Sequence, residues 1–237
     1  HFKFDVMSDN HTAMILAAGK GQRMLPLTKT TPKPLIKVNG KSLIDYLIEN
    51  LINANFSKIV INASYLKESM LDHFENSEFK KKIKIEIISE NQPLETAGGV
   101  RNAIESIESE TFALVNGDIF TNFNFIAFNS VFKEFMVSHN LESFIYLVKN
   151  PSHNPLGDFD LKGKMVCLNE TNPYTYSGIG IYRKKFFFEL DDKEEKLGNL
   201  LKIHIRNGTL IQGSIISDMW DDIGTIERLN NLRKKLT

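Results

Sequence analysis

The chain has 237 residues, of which 42% are hydrophobic and 24% charged, and its 29 Lys and Arg residues balance 29 Asp and Glu residues. This composition excludes disordered, collagen-like and coiled-coil proteins, and the balanced charge gives no indication of a nucleic-acid partner. The single cysteine, Cys167, excludes a disulfide framework and a cysteine-type zinc site. No apolar run approaches the roughly 18 residues of a membrane span and no signal-peptide pattern opens the chain, so we expect a cytoplasmic protein without membrane contact.

From residue 13 onward, short apolar runs alternate with longer amphipathic segments. Ser42 and Asp45, three residues apart, give the first amphipathic segment a helix-capping signal. Strands that alternate with helices favour right-handed βαβ units and a mostly parallel sheet. In chain order the pattern predicts a strand at 13–17, a helix at 42–54, a strand at 58–63, a helix at 66–74, a strand at 83–88, a helix at 99–107 and a strand at 112–116.

The pattern becomes more antiparallel after about residue 125. Phenylalanines at 123, 125, 128, 132 and 135 are expected to pack in the core, but the segment that carries them receives no predicted element. The remaining elements are a strand at 143–148, a hairpin at 159–168 turning at Gly163, a strand at 174–183, helices at 184–190 and 195–206, a strand near 209–213 and a helix from Thr225.

A glycine-containing segment, 16–24 (LAAGKGQRM), follows the first predicted strand. Glycines let backbone N–H groups approach a phosphate chain, and Lys20 and Arg23 add positive charge. The segment is not a P-loop, because no Gly-Lys-Ser/Thr ends it. It is not a dinucleotide fingerprint either, because the third glycine is missing and Pro26 prevents a regular helix directly afterwards. A plain turn is the alternative interpretation.

A lysine between two prolines follows this segment. Pro32 and Pro34 flank Lys33 and predict a stiffened, extended backbone there. A preorganised lysine beside a phosphate-binding loop is suited to phosphoryl chemistry. The alternative is a solvated lysine in a proline-rich turn.

Two aspartates are placed where a metal ion could bind. Asp118 follows the strand predicted at 112–116, and ligands of open α/β sheets bind outside such strand ends. Asp222 lies just before the last predicted helix and could be a second ligand. Asp118 could instead close a turn, and Asp222 or Thr225 could be a helix N-cap.

Four features, in this order along the chain, resemble the sugar-phosphate nucleotidylyltransferase family, also called NDP-sugar pyrophosphorylases. They are the glycine-containing segment, the lysine between two prolines, and the segments around Asp118 and Asp222. The family's pattern L-A-A-G-x-G-x-R-[LM]-x-P-L-T followed by P-K-P is matched over residues 16–34. Finer features, such as INASYL (61–66) and GDF (157–159), are similar to the short bacterial N-acetylmuramate-1-phosphate uridylyltransferases. Further family motifs are matched at 94–99 (LETAGG), 116–118 (NGD), 176–179 (YSGI) and 222–225 (DIGT).

The resemblance implies an α/β fold with a Rossmann-like, mostly parallel mixed sheet flanked by helices. It implies a nucleotide-binding lobe at 13–125 and a smaller sugar-phosphate-binding lobe at 126–237 of the same domain. Residues 1–12 would be an N-terminal extension, and residues 1–6 are expected to be non-native because Met7 resembles a native start. We expect a monomer or a small homo-oligomer.

The implied reaction joins a sugar 1-phosphate to a nucleoside triphosphate, with UTP favoured, and gives an NDP-sugar and pyrophosphate. The finer resemblance implies formation of UDP-N-acetylmuramate in cell-wall recycling. The implied cofactor is Mg²⁺ held by Asp118 and Asp222, and the catalytic residues would be these two aspartates, Arg23 and Lys33.

The family motifs also imply the binding residues, and one position departs from the pattern: the chain has Glu170-Thr171-Asn172-Pro173 where family members often carry Glu-Lys-Pro. The implied sugar-binding residues are Gly157, Asp158, Glu170, Ser177 and Gly178. The implied nucleotide-binding residues are Ala17, Ala18, Gly19, Gly21, Gln22, Arg23, Lys33, Asn62, Thr96, Gly98 and Asn116.

Other substrates and one other function class remain alternatives. They are a mannose-1-phosphate guanylyltransferase, a glucose-1-phosphate thymidylyltransferase, a phosphocholine cytidylyltransferase and a non-catalytic regulator that binds a nucleotide sugar. A regulator would be expected to have lost Arg23, Lys33, Asp118 or Asp222, and all four are present. For an N-acetylmuramate substrate, Lys149, Lys162 and Arg183 are candidates to pair with the lactyl carboxylate.

Overall fold

The computed structural model describes residues 11–92, 94–138, 140–188 and 196–236. The expectation about residues 1–6 lies outside them, as does the end of the helix predicted at 184–190. Within these residues, no helix is long and apolar enough to cross a membrane.

A mixed sheet of nine strands forms the centre of the molecule, in the order β5-β4-β1-β6-β11-β8-β12-β10-β9. Two short ribbons, β2–β3 and β7–β13, lie outside it. The strands are β1 (Thr12–Leu16), β2 (Lys37–Val38), β3 (Lys41–Ser42), β4 (Lys58–Ala63), β5 (Lys84–Ser89), β6 (Thr111–Asn116), β7 (Ile119–Thr121), β8 (Ser143–Lys149), β9 (Asp160–Lys162), β10 (Met165–Cys167), β11 (Tyr174–Arg183), β12 (Ile211–Ile215) and β13 (Trp220–Asp222).

The first half of the chain builds a parallel sheet, and the second half extends it. β1 pairs in parallel with β4 and with β6, and β4 pairs in parallel with β5. β11 runs antiparallel between β6 and β8, whereas β12 is parallel to β8. The predicted α/β class with a mostly parallel mixed sheet is therefore confirmed.

Helices cover both faces of the sheet. Successive side chains of a strand point to opposite faces of the sheet, so neighbouring residues of β1 belong to different cores. Ile15 belongs to the core that α1, α2 and α4 cover, and Met14 belongs to the core that α3 and α5 cover. A third core lies beside the glycine-containing segment, where Met24 packs with Leu229 of α6. The helices are α1 (Leu43–Asn53), α2 (Lys67–Glu75), α3 (Thr96–Ala103), α4 (Phe125–Val137), α5 (Leu197–Arg206) and α6 (Ile226–Lys235).

Several predicted elements agree closely with the structure. The strands predicted at 58–63 and 174–183 coincide with β4 and β11, and the predicted hairpin turns at Gly163, which has φ +61°. The predicted cap of α1 is present, since the Ser42 hydroxyl accepts a hydrogen bond from the Asp45 N–H.

Two predictions about helices are wrong. Residues 184–187 form a short 3₁₀ helix, and α3 begins at Thr96 rather than at residue 99. The early start of α3 places two glycines inside its first turns, a composition that local propensity disfavours. Buried Gly98 and Gly99 are tolerated there because α3 packs tightly against its neighbours.

Helix α4 was not predicted, although its phenylalanines recur at helical spacing. Phe125, Phe128, Phe132 and Phe135 are each at most 3% exposed, so their predicted place in the core is confirmed. Phe132 meets the ring of Phe56 with centroids 5.5 Å apart. The spacing of three, four and three residues indicates one buried helical face.

Arg183, at the end of β11, secures the end of α4. Its guanidinium donates to the Leu141 carbonyl at 2.9 Å and to the Phe135 carbonyl at 3.3 Å, and it also contacts the Ser138 carbonyl. Carbonyls at a helix C-terminus lack intrahelical partners, and a cation there satisfies them. Arg183 is therefore committed to the fold and does not suit pairing with a substrate carboxylate.

Phe132→Ala should lower the free energy of unfolding by about 3–5 kcal/mol, because it leaves a cavity in a closely packed core. Ile126→Ala is the matched control on the same helix: Ile126 is 64% exposed, and its loss should cost less than about 0.5 kcal/mol. Urea denaturation of both variants measures the difference, and equal stability would contradict the packing of α4.

Candidate active site

A cleft of about 580 Å³ opens at the carboxyl ends of β1, β4 and β6. Parallel pairing brings these ends to one edge of the sheet, where ligands of such folds bind. The cleft is lined by Leu16, Ala17, Ala18, Gly19, Lys20, Gly21, Gln22, Arg23, Lys33, Pro34, Asn62, Leu94, Glu95, Thr96, Asn116, Asp118 and Gly224.

Most of the residues expected to bind nucleotide thus lie together in this cleft. Of the residues expected to bind nucleotide, Gly98 does not line it, because it is buried within α3. Of the expected catalytic residues, Asp222 does not line it, although it is two positions before the lining residue Gly224. None of the five residues expected to bind sugar lines it either.

The glycine-containing segment turns sharply at Gly21, which has φ +62°. The Thr28 hydroxyl donates to the Gly21 carbonyl at 2.8 Å and secures the turn. No regular α-helix follows directly, as Pro26 predicted, and short 3₁₀ turns occupy 22–24, 27–29 and 33–35 instead.

Lys33 forms an ion pair with Asp118 across the cleft. The prediction that Lys33 lies on an extended segment is wrong, because Lys33 begins a 3₁₀ helix with Pro34 at its second position. Proline is tolerated in the first turn of a helix, where its missing N–H leaves no bond unmade. The side chains of Lys33 and Asp118 are 12% and 31% exposed, so the pair is only partly solvated.

The position of Asp118 depends on the glycine before it. The Gly117 N–H donates to the Leu16 carbonyl at the end of β1, over 2.8 Å. A Cβ at Gly117 would lie 2.8 Å from that same carbonyl oxygen. Only glycine lets the turn after β6 lie this close to β1, and the turn carries Asp118 to the cleft.

Asp222 reaches the same region through the β7–β13 ribbon. Asp222 is opposite Ile119 in this antiparallel pair, and the Ile223 N–H donates to the Asp118 carbonyl at 2.8 Å. The Asp222 carboxylate pairs with Arg228, and it lies 3.1 Å from His153 Nε2. The N-cap of α6 is Thr225, whose hydroxyl accepts the Arg228 N–H.

Asp118 and Asp222 could together hold a divalent cation of the kind that takes only a few of its ligands from the protein. Among the residues that the structure describes, no group of three or more His, Cys, Asp and Glu side chains is arranged to hold a metal. Mg²⁺ is commonly held by one or two carboxylates together with substrate phosphates. Asp118 and Asp222, on adjoining segments at a cleft mouth, fit that pattern.

Asn62 organises the cleft wall at the end of β4. Its Oδ1 accepts the Ala17 N–H at 2.7 Å, and only 3% of the residue is exposed. A contact from Ala17 to a ligand would therefore have to use the Ala17 carbonyl. The opposite wall is tied to α5, since the Thr96 hydroxyl oxygen accepts the Leu197 N–H at 2.7 Å.

Three of the residues expected to bind sugar lie on loops beside β11, and the other two, Ser177 and Gly178, lie within β11 itself. The Asp158 carboxylate accepts the Tyr176 N–H at 3.0 Å and an Asn154 amide N–H at 3.2 Å, so it already organises its own loop. Gly157 has φ +64°, and a Cβ there would collide with the Asn172 carbonyl at 1.9 Å. Glu170 is exposed on the preceding loop.

A bulge in β11 shapes the wall next to Asn116. The β11–β8 register shifts between Tyr176 and Gly180, around Ser177 and Gly178. Ser177 is fully buried, and its carbonyl accepts the Trp220 indole N–H at 2.9 Å. Trp220 packs against the core.

Three residues at or behind this site were not predicted from the sequence: His153, Arg228 and Glu90. Arg228 lies in the first turn of α6, six residues after Asp222, and that short separation was the available signal. His153 and Glu90 have no comparable motif, because only the folded chain brings them to Asp222 and Asn62.

The sequence as a whole is similar to known nucleotidyltransferases. A family model described as nucleotidyl transferase matches residues 12–237. The N-acetylmuramate alpha-1-phosphate uridylyltransferase of Neisseria meningitidis serogroup B is 37% identical over 224 residues, which are 92% of this chain and 94% of that protein. The bifunctional protein GlmU of Methanocaldococcus jannaschii is 29% identical over 90% of this chain, which spans 51% of that longer protein.

Solved structures show the same fold. A UDP-glucose pyrophosphorylase complexed with UDP-glucose aligns with a TM-score of 0.79 and 17% identity, covering 95% of this chain and 98% of that one. HddC from Yersinia pseudotuberculosis, complexed with GMP-PN, aligns with a TM-score of 0.75 and 22% identity, covering 96% and 100%.

Gly178→Ala should weaken nucleotide binding, because Gly178 has φ +79° and a Cβ there would lie 2.6 Å from the Asn116 side-chain nitrogen. Gly208→Ala is the control, since Gly208 has φ +82° but no atom within 4 Å of the added Cβ. Both variants should lose about 1–2 kcal/mol of stability from the left-handed backbone.

Only Gly178→Ala displaces Asn116, and a lost contact at the cleft corresponds to roughly tenfold weaker binding. Calorimetric titration with UTP measures this difference. Equal binding by the two variants would show that Gly178 serves only the backbone turn.

Proposed function

The chain belongs to the nucleotidyl transferase family and is a sugar-1-phosphate nucleotidylyltransferase, and from this premise we propose that it makes UDP-N-acetylmuramate from UTP and N-acetylmuramate 1-phosphate. The observation that carries the choice of substrates is the 37% identity, over 92% of the chain, to the Neisseria uridylyltransferase. The guanylyl-, thymidylyl- and cytidylyltransferase alternatives have no comparable support.

The chemistry demands positioning and charge neutralisation rather than a general base. An oxygen of the sugar 1-phosphate attacks the α-phosphorus of the nucleoside triphosphate, and pyrophosphate leaves in line. A phosphate monoester with a second pKa of about 6 is already largely dianionic at neutral pH, so no proton has to be removed. The protein must instead bring two anions together.

The basic residues of the cleft supply this neutralisation. Arg23 and the backbone of 19–22 would hold the β- and γ-phosphates, as glycine-rich turns do for anions. Lys33 would bind near the α-phosphate and the incoming sugar phosphate. Its ion pair with Asp118 holds the ammonium at the cleft wall until phosphates compete for it.

Asp118 and Asp222 would hold Mg²⁺, which neutralises phosphate charge when it is bound. Each carboxylate is paired with a cation in this structure, Asp118 with Lys33 and Asp222 with Arg228. Each partly buried carboxylate thus has a compensating charge before the substrates arrive.

The base would bind between the two walls of the cleft, against the backbone of Ala17 and Ala18 and against Thr96, with Gly98 behind it in α3. Asn62 and Asn116, at the ends of β4 and β6, would lie between nucleotide and sugar. The sugar would lie beyond the cleft, beside the loops that carry Gly157, Asp158 and Glu170 and the part of β11 that carries Ser177 and Gly178.

An N-acetylmuramate substrate also requires a cation for its lactyl carboxylate. Arg183 is excluded from this role, because it is bonded to the carbonyls around the end of α4. Lys149 and Lys162 remain from the sequence candidates.

Asp118→Asn and Asp222→Asn should each lower kcat by roughly 10²–10³, because a preorganised charge at the reacting phosphates is removed. Asp221→Asn is the matched control: Asp221 is the neighbour of Asp222 on β13 and pairs with Lys235 at 2.8 Å. Pyrophosphate release over a range of Mg²⁺ concentrations measures the effect. An Asp222→Asn variant that matches Asp221→Asn would exclude Asp222 as a metal ligand.

The sugar assignment is tested with a panel of sugar 1-phosphates and UTP. A charge-assisted contact to the lactyl carboxylate is worth about 1.5–3 kcal/mol, so kcat/KM should favour N-acetylmuramate over N-acetylglucosamine by about 10- to 150-fold. Glucose and mannose 1-phosphates complete the panel. A preference for mannose 1-phosphate with GTP would overturn the substrate assignment and leave the reaction class in place.

A further inference from the structure

A buried carboxylate, Glu90, lies directly behind the wall of the cleft. Glu90 is 4% exposed and does not line the cleft. It follows β5, and its N–H donates to the Ala63 carbonyl at the end of β4, over 2.8 Å. Burying a carboxylate is costly unless hydrogen bonds compensate it, so its position calls for an explanation.

Both oxygens of this carboxylate accept hydrogen bonds from the walls of the cleft. Oε1 accepts an Asn62 amide N–H at 2.6 Å, and Oε2 accepts the Leu94 backbone N–H at 3.1 Å. Because the Asn62 nitrogen faces Glu90, the Asn62 oxygen faces the Ala17 N–H and accepts it at 2.7 Å. One carboxylate thus connects the loop after β1 to the segment that begins at Leu94.

The close approach of α3 encloses this network. A Cβ at Gly99 would lie 2.6 Å from the Asn62 side-chain nitrogen and 3.0 Å from Glu90 Oε1. The absence of a side chain at Gly99 is therefore what lets α3 pack against both groups. The network has little space in which to rearrange.

We propose that Glu90 is a positioning residue for the nucleotide: it sets the two walls of the cleft, Ala17 on one side and Leu94–Thr96 on the other, at a fixed separation before the base enters. This inference rests on the proposed function, in which these walls bind the base of a nucleoside triphosphate. Glu90 acts through Asn62 and the Leu94 N–H and touches no substrate itself.

The network needs a residue with two acceptors at position 90. Asn62 and Leu94 each present an N–H to Glu90, and a carboxylate accepts both. A glutamine of the same shape has one oxygen and one NH₂ group, so its NH₂ must face one of the two donors. Glu90→Gln therefore has to release either the Asn62 amide or the Leu94 N–H.

The same geometry identifies a compensating change. In Asn62→Asp alone, two carboxylates face each other in a buried site, which is unfavourable. In the double variant Asn62→Asp/Glu90→Gln, the glutamine NH₂ can donate to the carboxylate introduced at position 62, and the glutamine oxygen can accept the Leu94 N–H. The second oxygen of that introduced carboxylate can still accept the Ala17 N–H. The double variant also retains the net charge of the wild-type pair.

The experiment compares Glu90→Gln, Asn62→Asp and the double variant in UTP binding by calorimetry, in steady-state kinetics and in thermal unfolding. Glu90→Gln should raise Kd and KM for UTP by about 10- to 100-fold, the loss expected from one or two hydrogen bonds. The change in kcat should stay below about threefold, and KM for the sugar 1-phosphate should change less than KM for UTP, since Glu90 acts on the nucleotide walls and reaches the sugar only through Asn62. The double variant should bind UTP at least about fivefold more tightly than either single variant.

Glu86→Gln is the control for stability without positioning. Glu86 lies on β5 and does not line the cleft. Hydrogen bonds from Lys58 and Ser106 hold the pKa of its carboxyl below the usual range. Its loss should lower thermal stability and leave UTP binding within about twofold of wild type, as expected for a residue outside the binding machinery.

Each outcome decides the inference. If wild type and Glu90→Gln bind UTP equally well, the positioning role is overturned and the proposed function stands. The same conclusion follows if kcat and both KM values of Glu90→Gln change together as its stability falls. If the double variant is no better than the singles, the hydrogen-bond pairing is overturned. If wild type binds no nucleoside triphosphate at all, the proposed function and this inference both fail.

Discussion

The position of β1 between β4 and β6, paired in parallel with both, is the constraint on which the rest of the structure depends. Parallel pairing places the ends of all three strands at one edge, so the glycine-containing segment, Asn62 and Asn116 converge there. The contact between Gly117 and the Leu16 carbonyl then brings the next turn over the same edge. Asp118 reaches the cleft because two backbones approach more closely than any side chain would allow.

Two ion pairs place opposite charges together in and beside the cleft. Lys33 pairs with Asp118, and Arg228 pairs with Asp222. Partly buried charges need partners, and these pairs satisfy that need until phosphates arrive. In the proposed reaction, the phosphate oxygens would take the place of Asp118 on Lys33, and a bound Mg²⁺ would take the place of the cations on the two carboxylates.

The chemically informative parts of the sequence are those where one local pattern dominates. β4 was predicted at its true bounds because it is a short, largely apolar run, and β11 was predicted at its true bounds although it contains two glycines. The start of α1 was predicted because Ser42 caps it. The motifs at 16–24 and 116–118 placed Arg23 and Asp118 correctly in one cleft. Helix α4 shows the opposite case: its phenylalanines suggested burial, and their helical spacing was not used.

The sequence by itself determined the fold class, the family motifs and the acidic and basic residues of the cleft, because each of these depends on residues close together in the chain. The tertiary structure decided which of these residues touch. Glu90 lies 28 positions from Asn62, Arg183 lies 48 from Phe135, and His153 lies 75 from Arg228. Such pairings are set by the order of the strands in the sheet and by the space that Gly99, Gly117 and Gly178 leave open. No single position of the sequence shows which distant residue it will contact, because that depends on how the whole chain packs.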